Sequence, residues 1–330
     1  MSVVLRLGVL VLWLSACATA PSGPPVGVYE APYRITETGL IAVTVRLNGT
    51  VEEEFIIDTA STLTTVTERV ANRLALPYSD ENMTSVYGFF ERADRPLTKI
   101  DSIELGGLSR ADLPTVVLEN VPGERSARNL IGIDFFSEHA LEVLAEPQII
   151  RIYPKNLIRR APGRRWTKIP LGPSPFGGPD HGLLFAVARF EQKSLPALID
   201  TGAGFSALSW SAIEGWRASE IRRRLKDEWR ARGAVGEFKP ETRVRLEYVE
   251  LGDRFWREID VYIFELETLD VLGAPRAPLM VAGADLFIGA DFLIDFSSNE
   301  MFARGSRRGV NREDDTFTIS RWPTRIKRDD

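Results

Sequence analysis

The sequence predicts a mainly β, two-lobed fold in which one β unit is written twice. Period-two alternation marks the strands, turn signals punctuate them, and three motifs recur in the same order in both halves. In the first half, Ile41, Val43, Val45 and Leu47 alternate with mostly polar residues, reach Asn48-Gly49 and return through 51–57. Asn-Gly supplies the positive φ that both central positions of a type I′ turn require, so this stretch reads as a hairpin. The returning strand ends in Phe55-Ile56-Ile57-Asp58-Thr59-Ala60-Ser61. In the second half a strand over 183–190 and a short polar turn lead to Leu198-Ile199-Asp200-Thr201-Gly202-Ala203.

Two further matches follow. Ile103-Glu104-Leu105-Gly106-Gly107 corresponds to Val249-Glu250-Leu251-Gly252-Asp253, and Ile131-Gly132-Ile133-Asp134-Phe135-Phe136 to Ile288-Gly289-Ala290-Asp291-Phe292-Leu293. The offsets (58 to 200, 103 to 249, 131 to 288) are 142, 146 and 157 residues, as expected if insertions accumulate in the second copy. The first lobe is assigned to residues 39–154, a Pro-, Gly- and Arg-rich interlobe linker to 155–181, and the second lobe to 182–304. The tail, 305–330, is charged and mixed in sign, and is assigned no function.

Composition narrows the chemistry. The 330 residues are 44% hydrophobic and 26% charged, enough for about two globular domains. A formal charge of −5, from 41 Lys and Arg against 46 Asp and Glu, argues against a general nucleic-acid binder. The single cysteine excludes intramolecular disulfides and multi-cysteine metal clusters, and two histidines, His139 and His181, leave no His-rich metal site. The remaining chemistry is carboxylate chemistry.

The N-terminus reads as an export signal over residues 1–16. Arg6 precedes an apolar run, 7–14, too short for the roughly 20 residues a bilayer span needs. Leu14-Ser15-Ala16-Cys17 resembles the lipobox of bacterial lipoproteins. That resemblance implies cleavage before Cys17 and a diacylglyceryl group on its thiol. Two acyl chains burying on the order of 30 methylenes, at about 0.8 kcal/mol each, would anchor the chain permanently. Ala18 follows where inner-membrane lipoproteins often have Asp, which favours the outer membrane, with the body facing the periplasm. Residues 17–38, rich in Pro and Gly, read as a lipid-anchored flexible tether.

A hydrophobic strand ending in Asp-Thr-Gly-Ala, followed later by an apolar-Gly element, resembles the retropepsin-like aspartic proteases. Two copies in one chain resemble a single-chain version of their dimer, as in pepsin-like enzymes. The resemblance implies an acid-protease-like fold whose lobes are retropepsin-like β-barrel units with short helices, forming an intramolecular pseudo-dimer and a monomeric protein. It implies Asp58 and Asp200 as the catalytic acids, acting on a peptide or protein substrate without metal or cofactor. Thr59 and Thr201 would hydrogen-bond across the lobe interface, Gly202 would permit close backbone approach, and Ile131-Gly132 and Ile288-Gly289 would pack beneath the loops. Ser61 follows the first motif and Ala203 the second. Tyr87-Gly88 and Val235-Gly236, 29 and 35 residues beyond their Asp, are candidates for the tips of cleft-covering flaps. The departure is Ala60, which stands where the family has glycine and raises the alternative of a catalytically inactive peptide- or protein-binding lipoprotein.

The implied dyad has a physical logic. Two carboxylates about 4 Å apart at an effective dielectric near 20 repel by roughly 4 kcal/mol, or about three pKa units. The pair therefore holds one proton between them. The charged member can accept a proton from water while the protonated one donates to the scissile carbonyl.

Other motifs are set aside. Gly202-Ala203-Gly204-Phe205-Ser206-Ala207 matches a dinucleotide fingerprint, but its strand belongs to a hairpin and no βαβ series surrounds it. Asp134 and Asp291 are each expected to cap a short helix. Residues 217–232 are expected to form a basic helix that packs the stripe Ala218, Ile221, Leu225 and Trp229 on its own lobe.

Overall fold

The computed structural model describes residues 27–88, 92–120, 129–155, 166–177, 181–217, 231–232, 237–238, 242–266 and 268–305. The first copy contains β1 (Tyr29–Ile35), β2 (Ile41–Leu47), β3 (Val51–Ile57), β4 (Thr64–Thr67), β5 (Met83–Tyr87), β6 (Arg92–Leu105), β7 (Leu108–Leu118), β8 (Asn129–Ile131), β9 (His139–Leu144) and β10 (Ile149–Pro154). It also has two short helices, α1 (Glu68–Arg73) and α2 (Ile133–Phe136). The second copy contains β11 (Thr167–Pro170), β12 (Phe185–Phe190), β13 (Lys193–Asp200), β14 (Ala207–Ser209), β15 (Ala231–Arg232), β16 (Glu237–Phe238), β17 (Thr242–Leu251), β18 (Arg254–Phe264), β19 (Met280–Gly283), β20 (Ala290–Asp295) and β21 (Glu300–Gly305).

The fold is mainly β, with two barrels of equivalent connectivity. In the first, β2-β3-β8-β4-β7-β6 pair in that order, and β6 pairs back onto β2 to close the ring. In the second, β12-β13-β19-β14-β18-β17 close in the same order. Closure removes the unpaired edges of the six strands. The alternation seen in the sequence becomes the inside of the barrel: Val45, Leu47, Phe55 and Ile57 are fully buried, as are Leu246, Leu251 and Trp256 opposite. The β2–β3 turn closes with the Thr50 N–H donating to Leu47 O, and both Asn48 and Gly49 have positive φ. Thr50 is an extra residue, because strand pairing resumes at Leu47 opposite Val51.

Outside the barrels, β11-β21-β20-β9-β10-β1 form an antiparallel sheet that joins the lobes. Its central pair has the reciprocity of a two-fold: Val143 faces Phe292 while Leu141 faces Ile294. The rings of Phe136 and Phe296 stack at 5.8 Å across the same junction.

Strand β1 lies inside the segment assigned to the flexible tether, 17–38, so the first lobe begins before residue 39, and β11 lies inside the segment assigned to the linker. Strand β11 pairs with β21, Ile169 opposite Met301, as β1 pairs with β10, Ala31 opposite Ile150. The turn glycines of the second motif pack onto these two strands. A methyl on Gly106 would sit 2.8 Å from Glu30 O, and one on Gly252 2.7 Å from Lys168 O. Both glycines also have positive φ, so their spacing in sequence records a doubly constrained position.

The third motif needs a correction. Strand β8 runs parallel to β3 with Ile131 opposite Ile57, and its counterpart in the second barrel is β19, with Ala282 opposite Ile199. The pair equivalent to Ile131-Gly132 is therefore Ala282-Gly283, at an offset of 151 (132 to 283). Ile288 is half-buried and Gly289 exposed in the turn before β20, so this pair does not pack beneath the loop that follows Asp200. Ile288-Gly289 resembles the first-lobe motif in its letters; β19 fills the position with Val281-Ala282-Gly283, whose smaller side chains carry a weaker signal.

Two further expectations change. Asp134 lies within α2, whose N-cap is Gly132, and Asp291 lies on β20. Neither caps a helix: Asp291 accepts the Ala145 N–H from the other lobe at 2.9 Å and pairs with Arg304 at 2.6 Å. In the expected basic helix, residues 218–230 lie outside the described residues, and Ala231–Arg232 is strand β15, paired with β16.

Candidate active site

Strands β3 and β13 each deliver a hydrophobic run into a barrel wall and end on a polar residue where the backbone turns away. Asp58 follows the buried Ile57, and Asp200 is the last residue of β13. The two loops meet back to back through four reciprocal hydrogen bonds. The Thr59 hydroxyl donates to Ile199 O at 2.8 Å and accepts the Thr201 N–H at 3.1 Å. The Thr201 hydroxyl donates to Ile57 O at 2.7 Å and accepts the Thr59 N–H at 3.2 Å. Each hydroxyl uses its one proton and a lone pair, and both threonines are buried, so the lattice is internally satisfied.

This lattice brings the Asp58 and Asp200 carboxyls close enough that the charge on Asp58 acts on Asp200. Asp58 Oδ1 accepts the Ala60 N–H at 2.9 Å. Asp200 Oδ1 accepts the N–H groups of Gly202 at 2.8 Å and Ala203 at 3.0 Å. Asp200 is only 2% exposed, whereas Asp58 is half-buried. Burial pushes the Asp200 carboxyl well above the ordinary carboxylate range, the Asp58 charge adds to that push, and its two N–H donors oppose it. Burial also raises Asp58, opposed by the N–H groups of Ala60 and Ser61 and by the bond from Asp200. Of the two, Asp200 is thus the carboxyl pushed up further.

The glycine of the second loop and the alanine of the first are not equivalent in effect. A methyl on Gly202 would overlap the Asp58 carboxyl, so Asp58 rests on the bare Cα of Gly202. Ala60 is not among the described residues with positive φ, so its methyl brings no left-handed strain. That methyl packs against the apolar cluster of the second lobe that includes Leu183, Phe185 and Ala203. The Ser61 hydroxyl donates to Leu63 O at 2.7 Å.

Beneath the loops, a methyl on Gly132 would lie 2.6 Å from Ser61 O, and one on Gly283 would overlap Phe205 O. Ile133 N–H donates to Ser61 O at 2.9 Å, as Ala284 N–H donates to Ala203 O at 2.7 Å. A carboxylate–hydroxyl pair accompanies each glycine. Asp134 accepts both the hydroxyl and the N–H of Thr64, each at 2.9 Å, and the Thr64 oxygen accepts the Gly132 N–H at 3.3 Å. The Ser206 hydroxyl donates to Asp285 at 2.7 Å and accepts the Gly283 N–H at 3.1 Å. The sequence reading missed Thr64, Ser206, Gly283 and Asp285. Thr64 and Ser206 share the offset of the Asp pair, 142, which was the available signal.

Tyr87 ends β5, and Gly88 follows it at the tip of the β5–β6 hairpin. The Arg92 guanidinium lies over the Tyr87 ring at 5.3 Å. Strands β15 and β16 form a corresponding short hairpin in the second lobe, but Val235 and Gly236, between them, lie outside the described residues. Cys17 also lies outside them.

Fold and site define the class: a two-lobed, retropepsin-like β protein whose paired loops each present an Asp-Thr. Residues 43–135, from β2 to α2, match the family model described as aspartyl protease. Among solved structures the chain is similar to a retropepsin-like aspartic protease from Rickettsia conorii, at 15% identity over 38% of this chain and 92% of that one, with a TM-score of 0.29. It is also similar to basic 7S globulin from soybean, at 12% identity over 86% and 96% of the two chains, with a TM-score of 0.46. Conglutin gamma, a basic 7S globulin from lupine seeds, gives 13% identity, 85% and 95% coverage, and a TM-score of 0.48. No curated protein matches the chain. The chain is therefore aspartyl-protease-like in fold and in its first-lobe sequence, in the duplicated two-lobed form.

Proposed function

We infer that the chain is an aspartic-type endopeptidase, a hydrolase that cleaves peptide bonds in the bacterial cell envelope. The observation that supports this most is the Thr59–Thr201 lattice, which sets the half-buried Asp58 beside the buried Asp200 so that their charges couple. Asp58, the charged member, takes a proton from a water whose oxygen attacks the scissile carbonyl carbon. Asp200 donates its proton to the carbonyl oxygen, and the amine leaves with a proton as the C–N bond breaks. Anchoring through a lipidated Cys17 would hold the body at a bilayer, the outer membrane being favoured, facing the periplasm. Both halves of the dyad come from one chain, so a monomer suffices.

Ala60 favours a second reading, a protease-like module that binds peptides without cutting them. Digestion of a peptide library by the purified mature chain from acidic to neutral pH, beside an Asp200→Asn control, separates the two. Endopeptidase activity predicts cleavage by the wild type and none by the control. A wild type that binds peptides in the cleft yet leaves them intact at every pH supports the second reading.

A further inference from the structure

Each loop that carries a dyad residue is held from beneath by the same carboxylate–hydroxyl–glycine arrangement: Asp134–Thr64–Gly132 in one lobe and Asp285–Ser206–Gly283 in the other. A hydroxyl has one proton and accepts with its lone pairs. When the neighbouring carboxylate takes that proton, the oxygen is left to accept the N–H of the glycine that presses on the loop. The place admits no side chain, because a Cβ there would meet the loop carbonyl of Ser61 at 2.6 Å or overlap that of Phe205. A carboxylate fixes this polarity in a way that an amide does not, since an amide can donate to the hydroxyl and turn it. Ser206 and Thr64 are fully buried and Asp285 is 6% exposed. Burying a carboxylate at such a place costs free energy that an apolar residue would avoid; the fold does so at Asp285 and, in part, at the half-buried Asp134.

We propose that Asp134 and Asp285 are positioning residues for the dyad, each orienting a loop hydroxyl (Thr64 or Ser206) that locks the glycine under Asp58 or Asp200. The proposal rests on the dyad reading given above. It concerns residues set beneath the loops that carry the dyad, so its effect passes through the geometry of the loops.

The test uses the full mature chain and the variants Asp134→Asn, Asp285→Asn, Thr64→Val and Thr64→Ser. Three measurements are made: thermal unfolding, kcat and KM on a cleaved peptide, and the titration of the Asp58 and Asp200 carboxyls by 13C NMR without substrate. Asp134→Asn and Thr64→Val should fold, lower kcat by about tenfold to a hundredfold with KM little changed, and displace the Asp58 titration and the pH profile of kcat. Asp285→Asn should do the same to Asp200. Thr64→Ser, which keeps the hydroxyl, should retain wild-type values. Wild-type kcat and titration in Asp134→Asn and Thr64→Val would overturn the proposal, as would equal losses in Thr64→Ser and Thr64→Val. Should Asp134→Asn fail to fold, the Thr64 pair decides. If the wild type cleaves no peptide, the endopeptidase reading fails separately, and the carboxyl titrations still decide positioning: displaced in Thr64→Val supports it, unchanged refutes it.

Discussion

Asp58 and Asp200 differ in their surroundings although they occupy equivalent places. Asp200 is the more deeply buried, and its neighbour Gly202 lies directly under the Asp58 carboxyl. Ala60→Gly removes a methyl that the backbone already tolerates, so it should keep the fold and change cleavage by less than about tenfold, under ~1.4 kcal/mol of barrier. Gly202→Ala places a methyl into the Asp58 carboxyl, so it should abolish cleavage while Ala60→Gly does not; steady-state kinetics on one peptide compares them. The pH dependence follows from the same asymmetry. The proposed mechanism needs Asp58 ionised and Asp200 protonated, and both carboxyls are raised. The rate should therefore rise with pH as Asp58 ionises, above the ordinary carboxylate value, and fall at higher pH as Asp200 loses its proton. For stability the sign is opposite to that of a salt-bridged acid. A raised folded-state pKa means that the folded state binds more protons, so stability falls as pH climbs from about 3.9, the unfolded value, to the folded one. Asp200→Asn carries no such penalty, and its melting temperature should exceed the wild type's by a margin that grows with pH across that interval.

Strands and loops set what the dyad can do. Thr201→Val leaves Ile57 O and the Thr59 N–H buried without their partner, at about 1–3 kcal/mol each, and should loosen the lobe junction. Chemical denaturation measures the loss. Gly283→Ala should cost about 3 kcal/mol, because a methyl there overlaps the backbone of Phe205, whereas Gly289→Ala should cost about 1 kcal/mol for its positive φ in open space. Equal costs would contradict the assignment of β19 as the strand beneath the second loop. The same contrast explains what the sequence made legible. The hairpins ending in Asp58 and Asp200 could be read because period-two burial and turn chemistry are local. So could Thr59 and Thr201, through the repeated tetrapeptide. Ala282-Gly283 could not, because close packing at that place is enforced by non-local contact with Phe205 and leaves only small residues as its trace. Strand β11 was hidden for a related reason: Thr167-Lys168-Ile169-Pro170 is short and flanked by Pro and Gly, and it becomes a strand by pairing with β21. Asp134 and Asp291 looked like one repeated feature, yet one holds Thr64 and the other crosses to Ala145.

At the scale of the whole molecule, two barrels and a shared sheet place two half-sites face to face within a single chain. On the proposed function, such an arrangement makes activity a property of both lobes at once. If Cys17 carries the lipid, Cys17→Ser should release the protein from the membrane fraction and abolish lipid labelling without changing kcat on soluble peptide. Retained membrane fractionation would contradict the anchor. The central claim is that Asp58 and Asp200 act as one unit on one water, and a mutant cycle tests it most directly. kcat/KM is measured for the wild type, Asp58→Asn, Asp200→Asn and the double variant on the same peptide. Two members of one unit predict that each single change removes nearly all activity and that the double loses little more. Substantial turnover in either single variant, or single losses that multiply in the double, would contradict the account.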